Sequence, residues 1–304
     1  MDKPESTLPL GYPELLRLCD RVPVHRISWP APCLEWADVI EMAGKLRARL
    51  WRQHCAARHG NIPSCIDRKL RCQEPEHCLA DRWLPDATTT RTASWRMATT
   101  FIRLDPPSGE LVLWVLGNLN SAECESLVGA MRPWVGEQPC RHKTGKLSEF
   151  APVACDRYRM ELTTPWVFAK KSPATEVPPA IGDFAIRLRD SAVPRMHKFV
   201  ALTCQFPQAG LPEEIARLVC FASQYVSRHV LERDLSVETT NLQLQGYRVP
   251  SGSNGKLVPH WIVTGEVVIS IKKHALPWLA LFAMVGGGKA ADKGFGGVSF
   301  KASQ

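Results

Sequence analysis

The spacing of hydrophobic and polar positions changes along the chain, and each change marks an element. Val22 to Trp29 reads as a short strand, closed by Pro30 and Pro32, which lack the amide donor that would continue pairing. From Glu35 to about His59, Val39, Met42, Ala43, Leu46 and Leu50 recur at helical spacing, with acidic residues at the start and basic ones toward the end. Residues 60–95 hold no period and read as an irregular or short-helical insertion. Arg96–Leu104 and Glu110–Leu116 form a predicted hairpin around the turn Asp105-Pro106-Pro107-Ser108-Gly109. Ser121 is the expected N-cap of a helix through Cys124, Leu127, Val128 and Met131, ending near Pro133. The polar stretch Arg141 to Glu149 reads as a domain boundary.

Beyond it, a strand is expected from Arg157 to Ala169, broken at Thr164-Pro165, then a Pro-rich loop at 172–180. A helix follows from Pro212 to about Arg233, and three β-rich runs close the chain: Val237–Arg248, Trp261–Ile271 and the end after Gly286. Strand, helix, strand, strand, helix is most of a ferredoxin-like unit, and the second half roughly repeats the order of the first. The predicted fold is therefore α+β: two ferredoxin-like domains in tandem, residues 1–148 with the insertion at about 60–95, and residues 149–304.

Composition sharpens this picture. With 304 residues and 45% hydrophobic content, the chain can bury one large core or two modest ones. Eleven cysteines, an odd number, suit reduced thiols better than a disulfide framework. With no basic-then-apolar leader and no stretch of roughly 20 apolar residues, a soluble, cytoplasmic protein with no membrane partner is expected. The formal charge of +8 is concentrated in residues 21–60, net +4, and residues 241–304, net +5. If folding joins these segments they form a basic face suited to a polyanion.

The end of the chain reads Val285-Gly286-Gly287-Gly288-Lys289-Ala290-Ala291-Asp292-Lys293-Gly294-Phe295-Gly296-Gly297. Gly286 and Gly288, then Gly294 and Gly296, form two G-x-G pairs separated by five residues, with Lys289 and Lys293 between them. Such a loop can bring amide groups and lysines close to phosphate. A P-loop is excluded, because Ala283 stands where its first glycine belongs and no Ser or Thr follows Lys289.

This pattern, near the C-terminus of a basic chain, resembles the glycine-rich loop of the CRISPR repeat-processing endoribonucleases of the RAMP superfamily. Arg159 to Pro165 resembles the strand ending in Thr-Pro that opens the second half of such proteins, and Gly109 to Gly117 their mid-first-half strand. Tyr247-Arg248, followed by Gly265 and the final glycines, is similar to their closing pattern. The resemblance implies tandem RRM/RAMP-type domains that grip a CRISPR repeat RNA hairpin, retain the mature crRNA, and work with other effector subunits. Residues 60–95 depart from the pattern, as a subgroup-specific insertion of the type IV kind would.

The resemblance also implies cleavage by the RNA's own 2′-hydroxyl, without cofactor or metal, leaving a 2′,3′-cyclic phosphate and a 5′-hydroxyl. That reaction needs a base, cationic stabilisers and an acid. A histidine on the first strand or following helix often supplies the base in this family, which makes His25 and His54 candidates. Arg21 and Arg26 could align the phosphate and stabilise its charge, since an arginine does not readily accept a proton at neutral pH. Lys289, Lys293 and Arg248 are candidate RNA contacts, followed by Lys272, Lys273, Arg49 and Arg52. Gly286, Gly288, Gly294 and Gly296 would form the backbone cradle, and Tyr247, Trp261 and Phe295 could stack bases.

Two rival functions remain open. One is a RAMP-fold subunit that binds crRNA without cutting it. The other is a zinc-stabilised DNA-binding protein built on His54, Cys55, His59, Cys65, Cys72, His77 and Cys78, although these lack the usual C-x2-4-C pairs.

Overall fold

The computed structural model describes residues 12–31, 33–55, 78–83, 99–106, 108–170, 184–205, 223, 227–251, 256–288 and 291–303. Its strands form two four-stranded antiparallel sheets of matching connectivity.

The first sheet holds β1 (Val24–Pro30), β2 (Thr100–Asp105), β3 (Glu110–Leu116) and β4 (Arg141–Gly145) in the order β2-β3-β1-β4. Helix α1 (Tyr12–Cys19) precedes β1; α2 (Trp36–His54) and the short α3 (Leu79–Trp83) follow it; and α4 (Ser121–Val135) joins β3 to β4. Strand, helix, hairpin, helix, edge strand in this spatial order is the split βαβ arrangement. The second sheet repeats it with β5 (Arg157–Lys170), β6 (Leu235–Ser251), β7 (Lys256–Ile271) and β8 (Val298–Ala302), ordered β6-β7-β5-β8. Here α5 (Phe184–Gln205) and helical residues 227–234 lie between β5 and β6, and α6 (Leu276–Val285) lies between β7 and β8. The expected α+β architecture of paired ferredoxin-like units is what these sheets form.

Local differences from the sequence-based expectation have physical causes. Arg141–Gly145, read as the start of the boundary stretch and not as a strand, is edge strand β4: Arg141, His142, Lys143 and Thr144 are exposed, so no apolar alternation marks it. Helix α6 has no polar face because nearly all of it is buried, so it carries no helical period. Helices α1 and α5 were not expected either. Residues 206–222 and 224–226, which include most of the predicted Pro212–Arg233 helix, lie outside the described residues.

Helix α2 stops at His54, not His59. The cap of α4 is Asn120, not Ser121: its Oδ1 accepts from the Glu123 amide at 2.9 Å, and the Glu123 carboxylate accepts from the Asn120 amide at 3.2 Å. Helix α4 also runs through Pro133 to Val135. Strand β5 is not broken at Thr164-Pro165; its register against β7 shifts between Leu162 and Trp166, which absorbs the proline as a bulge does.

One apolar core runs through both units, from Leu15, Val39 and Leu50 to Trp166, Phe199 and Trp278. Arg103 of β2 crosses between them. It is 2% exposed, and its guanidinium donates to the carbonyl of Ala291 at 3.1 Å and to that of Val285. No helix among the described residues is long and apolar enough to cross a membrane.

Candidate active site

Strand alternation decides which sequence-predicted side chains can meet. His25 and Arg26 are neighbours on β1 and therefore point to opposite faces of the sheet. His25 stands opposite Thr144 of β4 and Val115 of β3, and it is 6% exposed. Arg26 stands opposite Lys143 and Trp114. There its guanidinium donates to Asp105 at 3.0 Å, to Glu110 at 2.7 Å and to Ser28 at 3.0 Å. Burial alone would raise the Glu110 carboxyl; hydrogen bonding and charge from Arg26, helped by Ser108 and Ser28, bring it below its ordinary value instead. Arg26 is thus an internal ion-pair partner on the face away from His25.

His25 is held on three sides. Its Nε2 lies 3.1 Å from the Gly117 carbonyl oxygen, which can only accept, so Nε2 carries the proton. Nδ1 is then the acceptor, 3.0 Å from the Thr144 hydroxyl and 3.2 Å from His142 Nε2. Burial lowers the pKa of His25, the adjacent His142 lowers it further, and the Gly117 bond opposes both. The ring is therefore neutral at pH 7.

His142 is exposed on β4, and its Nδ1 faces Cys124 Sγ of α4 at 3.9 Å. Burial raises the Cys124 thiol pKa, as do Cys140 and Glu125 beside it, so the sulfur stays protonated at neutral pH. Sequence reading missed His142 because it lies in the polar run assigned to the domain boundary. The one signal there was its place in R-H-K-T-G, five residues of edge-strand length.

The other candidates are scattered. His54, at the end of α2, shares a 2.7 Å hydrogen bond with Ser126 and meets Trp83 edge-on. Cys124 and Ser126 are about 200° apart around α4, so His54 and His142 flank opposite sides of that helix. Arg21 is exposed just after α1, and Arg49 donates to the Ala130 carbonyl at 3.3 Å. Arg52 is exposed near the end of α2. Arg248 and Lys273 are exposed on the second unit, and Lys272 pairs with buried Asp234 at 2.9 Å. Lys293 is half-buried and Lys289 lies outside the described residues.

The glycine-rich turn approaches protein closely. A Cβ on Gly296 would sit 1.9 Å from the Gly287 carbonyl oxygen, and one on Gly294 would sit 3.1 Å from the α2 backbone at Ile40. Both have positive φ, +65° and +87°, so glycine is required there for conformation as well as space. The Thr164 hydroxyl pins the turn, donating to the Gly294 carbonyl at 2.8 Å and accepting from the Gly297 amide at 2.6 Å. Gly286 packs against Arg103; Gly288 donates its amide to Ser191 at 2.9 Å, and its carbonyl accepts from Arg195 at 2.7 Å. Phe295 is fully buried and not available to stack a base, and Tyr247 lies edge-on between it and Trp36.

Of the cysteine- and histidine-rich segment, His59, Cys65, Cys72 and His77 lie outside the described residues. Cys55 and Cys78 are buried, and Cys78 Sγ donates to the His54 carbonyl at 3.7 Å.

Fold and site define a protein of two ferredoxin-like units with a histidine pair at the edge of the first sheet. Solved structures similar to it include a Cas6 product complex, 17% identical, covering 92% of this chain and 99% of that one at a TM-score of 0.42. A RAMP protein binding different RNA substrates is 11% identical, with 92% and 100% coverage and a TM-score of 0.37. The product of a Cas6-related gene from Pyrococcus furiosus is 12% identical, with 92% and 100% coverage and a TM-score of 0.35. At these values no residue role is transferable. No protein-family model matches the sequence, and no curated protein does.

Proposed function

We propose that this chain is a cytoplasmic, metal-independent endoribonuclease that cleaves CRISPR precursor RNA within the repeat hairpin and stays bound to the mature crRNA, alongside other effector subunits. The observation that carries the reading is the histidine pair on β1 and β4 in the first of two ferredoxin-like units, beside a second unit whose glycine-rich turn packs against α2 and accepts from Arg103. The sequence resemblance supports the same activity, with the turn supplying the architecture that joins the units.

The nucleophile comes from the substrate itself. A neutral imidazole takes the 2′-hydroxyl proton, the 2′-oxygen attacks phosphorus, and the phosphorus–5′-oxygen bond breaks as water protonates the leaving oxygen. Arg248, Lys273 and Lys293, with Lys289, are the proposed phosphate contacts. Domain limits at 1–148 and 149–304 belong to the same proposal.

The test starts by sequencing the RNA that copurifies with the expressed protein and incubating the corresponding repeat hairpin with it in EDTA. The expected products carry a 2′,3′-cyclic phosphate and a 5′-hydroxyl. Tight binding without a cut would favour a crRNA-binding subunit instead. Activity lost on chelation and restored by magnesium or manganese would exclude the mechanism.

A further inference from the structure

On the endonuclease reading above, we infer that His142, not His25, accepts the proton of the RNA 2′-hydroxyl, and that His25 is a positioning residue holding His142 in the tautomer this requires. Three observations lead there. Exposure separates the two rings: His25 is 6% exposed and both its nitrogens face protein partners within 3.2 Å, while His142 is exposed on an edge strand with its Nδ1 3.9 Å from the Cys124 thiol. An RNA hydroxyl can reach the second without displacing anything from the first.

The chain of donors then fixes the tautomer. The Gly117 carbonyl accepts from His25 Nε2, so His25 Nδ1 is an acceptor. His142 Nε2, 3.2 Å from that acceptor and 3.5 Å from Thr144 Oγ1, is placed to donate into the pair. Its proton sits on Nε2, which leaves Nδ1 as the basic nitrogen at the protein surface. This is the usual device by which one ring nitrogen's hydrogen bond decides what the other can do.

The groups around His142 come from three elements. His25 and Thr144 face His142 from β1 and β4, and Cys124 faces it from α4, with Cys140 and Glu125 beside that thiol. Arg141 and Lys143, its neighbours on β4, project to the other face of the sheet, where Arg141 approaches Glu110 at 3.5 Å and Lys143 lies over Phe150. In the reaction the 2′-hydroxyl proton passes to His142 Nδ1 and the 2′-oxygen–phosphorus bond forms. The phosphorus–5′-oxygen bond breaks, water protonates the departing oxygen, and His142 returns its proton to solvent.

The test is single-turnover cleavage of the copurifying repeat hairpin at saturating protein, across pH, paired with nitrogen-15 NMR of the histidine rings in the full chain. His142→Ala should slow cleavage by about 10²- to 10⁴-fold with RNA affinity unchanged. His25→Ala should slow it and move the acid limb of the pH–rate profile, which a role in packing alone would not do. His25→Gln, whose amide can donate to Gly117 and accept from His142, should restore much of that loss. In the parent, NMR should show His142 protonated on Nε2 at neutral pH. Parental rates in His142→Ala, or an Nδ1-protonated His142, would overturn the assignment while leaving the endonuclease reading standing. A parent that cuts no copurifying RNA would overturn both.

Discussion

The two ferredoxin-like units place very different side chains at corresponding strand pairs. Between β1 and β4 of the first unit, His25, Thr144 and His142 make a polar cluster beside an amphipathic α4. Between β5 and β8 of the second, Tyr158, Met160, Leu162 and Val298 are buried, and Met160 and Phe300 line a small apolar cavity with Trp278 and Phe282 of the almost wholly apolar α6. A shared backbone plan therefore holds a polar histidine cluster in one copy and apolar packing in the other. The second unit's buried helix and its glycine turn hold the first unit in place, and the first unit's edge strand is free to present functional groups.

Stability should follow that division. Trp278→Ala, at 0% exposure, removes a large side chain from the second unit's core and should cost about 3–5 kcal/mol in urea unfolding. His142→Ala at the exposed edge should stay within about 0.5 kcal/mol of the parent. Equal losses would mean that the histidine edge is structural and that the contrast between the units is false.

The junction comes next in size. Gly296→Ala meets both a positive φ and the Gly287 carbonyl, and should cost at least about 1–3 kcal/mol. An unchanged unfolding midpoint would show that the turn can relax without cost.

A comparable effect, but one that depends on pH, is expected at Asp234, whose side chain is fully buried and contacts Arg233 at 2.7 Å, Lys272 at 2.9 Å and His274 at 2.7 Å. The Arg233 hydrogen bond, then Lys272 and His274, hold its carboxyl well below the usual range against the opposing effect of burial. Its folded pKa is depressed, so its contribution is present above the unfolded value of about 3.9 and fades as pH falls below it. Asp234→Asn should cost about 1–3 kcal/mol at pH 7 and less at pH 3, measured by denaturant titration at both pH values.

The smallest effect belongs to His25. Its pKa is lowered in the fold, chiefly by burial, so the unfolded chain binds the extra proton first as pH falls. Stability should be complete above about pH 6.5 and decline below it. In His25→Gln the difference between pH 7.5 and pH 5 should shrink; an unaltered difference would show that His25 does not titrate on unfolding.

How much of this the sequence carried depended on whether apolar residues mark an element's period or its limits. Helix α2 was visible because Val39, Met42, Leu46 and Leu50 are buried while Glu41, Lys45 and Arg52 are exposed. Strands β1, β3 and β5 were visible as apolar runs between turn residues. Two elements gave neither signal: β4 is polar on both sides, and α6 is apolar all round with no helical period. His142 was lost with β4, since its partner His25 lies 117 positions away and only the β1–β4 register joins them. The glycine pattern was legible as a turn with special backbone needs, but not what it approaches, because Arg103, Ile40 and Trp166 meet it through tertiary packing.

The claim that chemistry resides in the first unit's strand pair is tested most directly by one comparison of single-turnover RNA cleavage in EDTA. His25→Gln with His142→Ala should lose about 10²- to 10⁴-fold in rate. Met160→Leu with Phe300→Leu, near-conservative in volume at the corresponding pair of the second unit, should cleave at the parental rate. Equal losses in the two double variants, or parental cleavage by the histidine double variant, would contradict the account.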